Sequence, residues 1–198
     1  IRLSLVGSEM CIRDSNNTDV DPATGLTPYI NMQKVLKVCH DFVDNFDNTF
    51  SNLLFIGQTG VGKTFLSNCI ARALMDSCHS IIYLTAGEFF DSFKSDDFKE
   101  FGSSKFDTSF FVECDLLIID DLGTEKASDY NFSNLFNTIN ERLLRRKSII
   151  ISSNLEMPDI ETRYSQRIFS RLVSAYSILR LFGDDIRCMK KLSPTKRS

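Results

Sequence analysis

The run Gly57-Gln58-Thr59-Gly60-Val61-Gly62-Lys63-Thr64 constrains this chain more than any other stretch. Spaced glycines followed by Lys and then Thr form a phosphate-binding pattern, and that pattern works only between a strand and a helix. Both flanks have the required character. Asn52-Leu53-Leu54-Phe55-Ile56 is a short apolar run, and Leu66, Cys69, Ile70, Ala73 and Leu74 recur at helical spacing after it. Glycines let bare N–H groups curl around an anion, and the positive end of the next helix points at the same place. Lys63 brings a full charge for the β- and γ-phosphates of a nucleotide, and Thr64 a hydroxyl for Mg²⁺. Phe65 is counted with the loop as a nucleotide contact. The competing reading is a chance glycine turn, which the flanks disfavour.

Strands and helices alternate through the rest of the chain. The spacing predicts a helix over about 28–46, with Val35, Val38, Phe42 and Phe46 on one face and Leu36 and Val43 widening it. Ser80–Thr85 reads as a second buried strand. Residues 86–113 read as two helices joined by a loop around Gly102, their many Phe residues filling a core. Leu116–Ile119 is a third strand, apolar enough for burial on both faces. A helix comes next, capped by Asp129 or Asn131, with Phe132, Leu135, Phe136, Ile139 and Leu143 inward. Arg142, Arg145, Arg146 and Lys147 read as its solvated basic end. Ser148–Ser152 is a fourth strand. A short helix from Met157 to Glu161, a helix over Gln166–Ala175 capped by Ser165, and a fifth strand over Ser177–Phe182 complete the pattern. Such alternation predicts an α/β fold of three layers around a five-stranded parallel sheet.

Composition narrows the function. A net charge of −3 advertises no strong basic field for nucleic acid, without excluding a local patch. The six cysteines form no Cys-x-x-Cys pair and have no His cluster beside them, which argues against a zinc site or a disulfide framework. Cys69 is expected to be a buried free thiol. Reduced cysteines in a nucleotide-binding chain fit the cytoplasm, and no apolar run is long enough to span a bilayer. A lone His40 in the first helix reads as an ordinary side chain rather than a ligand.

Ligands of such sheets sit at the carboxyl ends of the strands. Asp120-Asp121 ends the third strand; one carboxylate suits the Mg²⁺ shell and the next an attacking water. Capping of the following turn is the alternative. Asn154, just past the fourth strand, could orient water or contact the γ-phosphate, or serve only the turn. Arg167 and Arg171, four apart, share a helical face. Their planar guanidinium suits phosphate, and surface salt bridges are the bland alternative.

Residues 1–15 do not fit the rest of the chain. The stretch Ser8–Ser15 resembles translated sequencing-adaptor read-through, and we expect a foreign leader, with the native coding sequence as the check. Residues 16–27 read as a linker, 28–191 as the domain, and 192–198 as a flexible tail.

Together, Ile118-Ile119-Asp120-Asp121-Leu122-Gly123-Thr124-Glu125, Asn140-Glu141-Arg142, Ser152-Ser153-Asn154, Gln166-Arg167-Ile168-Phe169-Ser170-Arg171 and Phe182-Gly183-Asp184-Asp185-Ile186-Arg187 resemble the AAA+ ATPase domain of bacterial replicative helicase loaders, the DnaC/DnaI type. The resemblance runs over about residues 31–191. It implies a P-loop NTPase of AAA+ type that uses ATP and Mg²⁺. Gly57–Thr64 corresponds to Walker A, Asp120 (metal) and Asp121 (water) to Walker B, Asn154 to sensor 1, and Arg171 to the arginine finger, with Arg167 as a second candidate. Arg187 would touch phosphate or DNA. Asp121 stands where many AAA+ proteins have Glu, which implies slow, assembly-stimulated hydrolysis. The implied partners are a replicative DNA helicase, single-stranded DNA, and further copies of the chain through Arg171. The chain before residue 28 is short for the family's helicase-binding domain, and the chain after Arg187 is short for a helical lid. The nearest rival is an IstB-type transposition helper, whose acidic strand continues in Glu-Leu-Gly-Tyr. Asp121-Leu122-Gly123-Thr124-Glu125 leans to the loader. A small-molecule kinase and a nucleotide-binding module without turnover are the more distant alternatives.

Overall fold

The computed structural model describes residues 20–22, 25–94 and 108–183. Thr27 accepts a hydrogen bond from the Ile30 N–H, and Pro28 opens the first helix at a position that needs no donor. That helix, α1, spans Pro28–Asp44. β1 (Leu53–Ile56) leads through the glycine loop into α2 (Lys63–Asp76). Then come β2 (Ile81–Thr85), α3 (Ala86–Asp91), the single turn α4 (Phe110–Glu113) and β3 (Leu116–Leu122). The order closes with α5 (Asp129–Leu144), β4 (Ser148–Ser153), α6 (Met157–Arg163), α7 (Gln166–Ala175) and β5 (Ser177–Arg180).

The five strands form one parallel sheet in the order β2-β3-β4-β1-β5. Successive side chains on a strand point to opposite faces. Leu53, Phe55, Leu116, Ile118 and Ile150 meet Val35, Leu36, Cys39, Phe42, Leu66 and Ile70 of α1 and α2 on one side. Leu54, Ile56, Leu117, Ile119, Ile149 and Ile151 meet residues of α3 to α7 on the other. Both faces are covered, which is why β1, β3 and β4 read as unbroken apolar runs.

Several expectations are corrected. β2 is not fully buried: among the described residues it is an edge strand, paired with β3 alone, and its residues are half-buried or exposed. The cap of α5 is Ser128, whose hydroxyl accepts from the Asn131 N–H; Asp129 is already the first helical residue. Ser165 does hold the N-cap position of α7, but its side chain makes no capping bond. Cys69 is half-buried rather than buried, and the deeply buried free thiols are Cys39 and Cys114. Burial raises the pKa of both above that of an ordinary thiol.

Arg142 is the largest correction. It is fully buried, not part of a solvated helix end. Its guanidinium donates to the Phe111 carbonyl at 2.7 Å, the Ser148 carbonyl at 2.6 Å, the Asp115 carbonyl at 3.1 Å and Cys114 Sγ at 3.2 Å. One side chain thereby ties α4, the start of β3 and the start of β4 to α5. Nearby, Asp115 accepts from Lys147 Nζ at 2.7 Å and from the Ser80 hydroxyl at 2.7 Å. Those bonds, led by Lys147, hold its carboxyl well below the usual range.

Phe89, Phe90 and Phe111 are core, as their spacing predicts, whereas Phe110 is exposed. Phe98, Phe101, Phe106 and the turn at Gly102 lie outside the described residues, as do residues 1–15, 184–198 and hence Arg187. Among the described residues no helix is long and apolar enough to cross a membrane.

Candidate functional site

The glycine loop lies at the carboxyl end of β1, pressed against the end of β5. Leu181 N–H donates to the Ile56 carbonyl at 2.8 Å. A Cβ on Gly57, which has φ +139°, would fall 2.0 Å from the Leu181 carbonyl oxygen, so no side chain fits there. Gly60 and Gly62 also have positive φ, and Gly62 opens α2 without offering a side-chain acceptor to its first turn. That turn presents N–H groups and the positive dipole end to the loop. Val61 anchors the loop in the core, while Gln58 and Thr59 are exposed and Thr64 is half-buried. Phe65, in the first turn of α2, is 39% exposed.

Lys63 is 4% exposed. An ammonium so deeply placed needs acceptors, and Nζ donates to the Gly57 and Gln58 carbonyls at 2.6 and 2.7 Å and to Asn154 Oδ1 at 2.6 Å. Asn154 Nδ2 in turn donates to Asp121 Oδ1 at 3.3 Å. The strand order explains this bridge. β4 lies between β1 and β3, so the residue leaving β4 falls between the loop and the acids.

Both acids reach the site because β3 bulges. Pairing runs Ile119 with Ile151 and then Leu122 with Ser153, so Asp120 and Asp121 together oppose Ser152. Asp121 takes φ +58°, a left-handed conformation that Asp tolerates better than most side chains. Ser152 Oγ donates to Asp120 Oδ1 and accepts from the Asp121 N–H at 3.0 Å. Tyr83 hydroxyl donates to Asp120 Oδ2 at 2.9 Å. Burial first, then the neighbouring Asp120, pushes the Tyr83 phenol above its ordinary range, so it remains a donor.

The donors assigned to the metal, Thr64 and Asp120, are oxygen only, and the second carboxylate, Asp121, stands next to Asp120. That suits Mg²⁺, which keeps several waters and takes one or two carboxylates together with nucleotide phosphate. The residues present therefore fit Mg·ATP. Lys63, Asn154, Asp121 and Asp120 are brought together at this end of the sheet, the first three in one hydrogen-bonded chain. Arg171 and Arg167 stand apart on α7, both exposed, beside a groove shared with Phe136, Gln166 and Ser170. Arg171 Nη2 donates to Asn140 Oδ1 of α5 at 3.4 Å.

In the sequence Ser152 stands only as part of the Ser152-Ser153-Asn154 motif, with no role of its own, and Tyr83 only as a residue of the second strand. A hydroxyl directly after the apolar run of β4 is the signal for Ser152, because buried hydroxyls take partners. Tyr83 carried no such signal, since its contact depends on β2 pairing with β3.

A family profile described as IstB-like ATP binding protein matches residues 27–193. The replicative helicase loader DnaC of Escherichia coli K12 is 23% identical over 151 residues, 76% of this chain and 61% of that protein. The phage-like element PBSX protein XkdC of Bacillus subtilis is 32% identical over 111 residues, 53% of this chain and 40% of that one. This chain thus spans about three-fifths of the length of the DnaC relative it matches. A crystal structure of the DnaC helicase loader aligns with a TM-score of 0.66 at 22% identity, covering 77% of this chain and 91% of that one. A DnaI crystal structure gives 0.66 at 20%, covering 88% of each chain. AMPPCP-bound DnaA from Aquifex aeolicus gives 0.67 at 20%, covering 78% and 48%. These likenesses establish the expected α/β P-loop NTPase fold of AAA+ type. With a match over most of its length, this chain belongs to the family of IstB-like ATP binding proteins.

Proposed function

We propose that this chain is the ATP-binding and ATP-hydrolysing part of a DNA replication protein that places a replicative helicase on single-stranded DNA. The observation that carries the reading is the continuous link from Lys63 through Asn154 to Asp121. ATP exchanges for the acceptors now held by Lys63, which moves onto the β- and γ-phosphates. Glycine-loop N–H groups and Thr64 hold the remaining phosphate oxygens and the metal shell, with Asp120 as carboxylate. Bound Mg²⁺ neutralises charge on the phosphates. Asp121 orients and polarises the attacking water, and Asn154 reports the γ-phosphate to it. Arg171 acts on the nucleotide of a neighbouring copy, with Arg167 as the second candidate and Arg187 as a further phosphate or DNA contact. Single-stranded DNA, the helicase and self-association are the partners of this reading, and its place is the cytoplasm. Support comes from the relatives named as helicase loaders.

A second reading, the transposition helper, is favoured by the name of the matched family. A transposase gene beside this one would decide for it.

The direct test is capture of the host's replicative helicase by the native full-length protein, with and without ATP. ATP-dependent capture is expected, and no capture under either condition sinks helicase loading. Hydrolysis tests the chemistry separately. Asp121→Asn is expected to bind ATP normally and lose turnover. Arg171→Ala should bind ATP within about twofold of wild type yet lose hydrolysis by about 10³-fold, the low end for a trans-acting guanidinium. Wild-type turnover by Arg171→Ala at high protein concentration would remove the trans role.

A further inference from the structure

Glu125 lies in the turn between β3 and α5, away from the residues assigned to nucleotide, yet its side chain is only 3% exposed. A carboxylate that deep must be paired and hydrogen-bonded. Its Oε2 accepts from the Gly123 N–H at 2.8 Å. Its Oε1 accepts from the Tyr164 hydroxyl at 2.5 Å and lies 3.5 Å from Arg163 Nε. Arg163 Nη2 also donates to the Glu125 carbonyl oxygen. Tyr164 is 3% exposed, and its ring stands edge-on to Phe132 at 5.3 Å. Its phenol is pushed well above the ordinary range, first by burial and then by Glu125, so it stays protonated as a donor.

These contacts join two parts of the proposed machinery. On one side, Asp121 and Gly123 both hold positive φ, +58° and +110°, within three residues. Glycine takes such a φ freely, but the left-handed Asp121 needs its surroundings to hold it. Glu125 fastens the Gly123 N–H, Thr124 Oγ1 donates to the Asp121 carbonyl at 3.0 Å, and Leu155 packs where a Cβ on Gly123 would fall, 2.7 Å away. On the other side, Arg163 ends α6 and Tyr164 caps it, and α7, which carries Arg167 and Arg171, begins at Gln166.

We infer that Glu125 is a positioning residue that locks the Asp121 turn to the α6–α7 junction, so that the acid serving a protomer's own nucleotide and the guanidinium offered to its neighbour's are held as one unit. This rests on the roles proposed above for Asp121 and Arg171. A γ-phosphate that draws Asn154 and Asp121 would then be felt at the α7 face through Gly123, Glu125 and Tyr164. Neither Glu125 nor Tyr164 is among the residues assigned to the nucleotide.

The test uses Glu125→Gln, Tyr164→Phe and the double variant in the full chain, with ATP as the probe. Gln keeps the shape but has one acceptor oxygen for two donors and no charge for Arg163. Phe removes only a hydroxyl and keeps the packed ring, so it remains informative should Glu125→Gln not fold. ATP affinity and KM are expected within about twofold of wild type, with kcat about tenfold lower in each single variant and no lower in the double, as for residues acting as one unit. A brace that served only stability would lower the melting temperature and leave kcat alone. In mixtures, Glu125→Gln with Arg171→Ala should not rise above the Glu125→Gln rate, because the first presents Arg171 poorly and the second lacks it. Wild-type kcat in both single variants, or restored hydrolysis in the mixture, overturns the inference while leaving the ATPase reading intact. A wild type that binds ATP and never hydrolyses it would overturn both.

Discussion

Lys63→Ala is expected to weaken ATP binding by about 10²-fold and to abolish turnover, the largest functional effect for a single side chain here. A charge-assisted bond to phosphate contributes about 1.5–3 kcal/mol, and Lys63 is the charged group of the glycine loop. The substitution also strips a donor from the Gly57 and Gln58 carbonyls and from Asn154 Oδ1. The loop and the amide facing Asp121 therefore lose their fixed spacing together. Titration calorimetry with ATP checks the binding, and phosphate release checks the turnover. Unchanged affinity would show that the loop does not hold the triphosphate.

Arg142→Ala should produce the largest loss of stability, about 3–5 kcal/mol, from unsatisfied buried acceptors and a cavity together. Three carbonyls, those of Phe111, Asp115 and Ser148, lose their donor at once, the first and last of these bonds being buried. Arg142→Met, which fills the volume without donating, should recover only the cavity part. The midpoint and slope of urea unfolding measure this, with the slope expected to stay constant. ATP affinity of the folded protein should not change, because the guanidinium serves the amino ends of β3 and β4, opposite the nucleotide end. A loss under about 1 kcal/mol would mean that the carbonyls find other donors.

The contrast between these two cations shows how much was legible beforehand. Lys63 is readable because its neighbours in sequence are its neighbours in function: glycine turn, Thr64 and helix start are local. Arg142 is misread for the same reason. Locally it is one of a row with Arg145, Arg146 and Lys147 at a helix end, and nothing in that row says that one points inward. Only the packing of α5 over α4 and the starts of β3 and β4 separates it from the others. The cap of α5 is misplaced by one to three residues, because Ser128, Asp129 and Asn131 all carry capping side chains and only the backbone conformation chooses among them.

The candidate groups of the site are legible along the chain alone: a cradle of glycines with Lys63 and Thr64, acids at the end of an apolar strand, an amide after the next one, and two arginines a helical turn apart. So is the alternation that makes a parallel sheet with both faces covered, since that comes from runs of apolar residues and their period. The strand order that sets Asn154 between Lys63 and Asp121 came from lateral pairing, which no local pattern encodes. Only the tertiary structure bulged β3 so that two consecutive acids share Ser152, and buried Glu125 against Tyr164. The physical reason is range. Periodicity and turn chemistry act between residues a few positions apart, whereas lateral pairing, a bulge's register shift and the satisfaction of a buried charge depend on residues some thirty to ninety positions away.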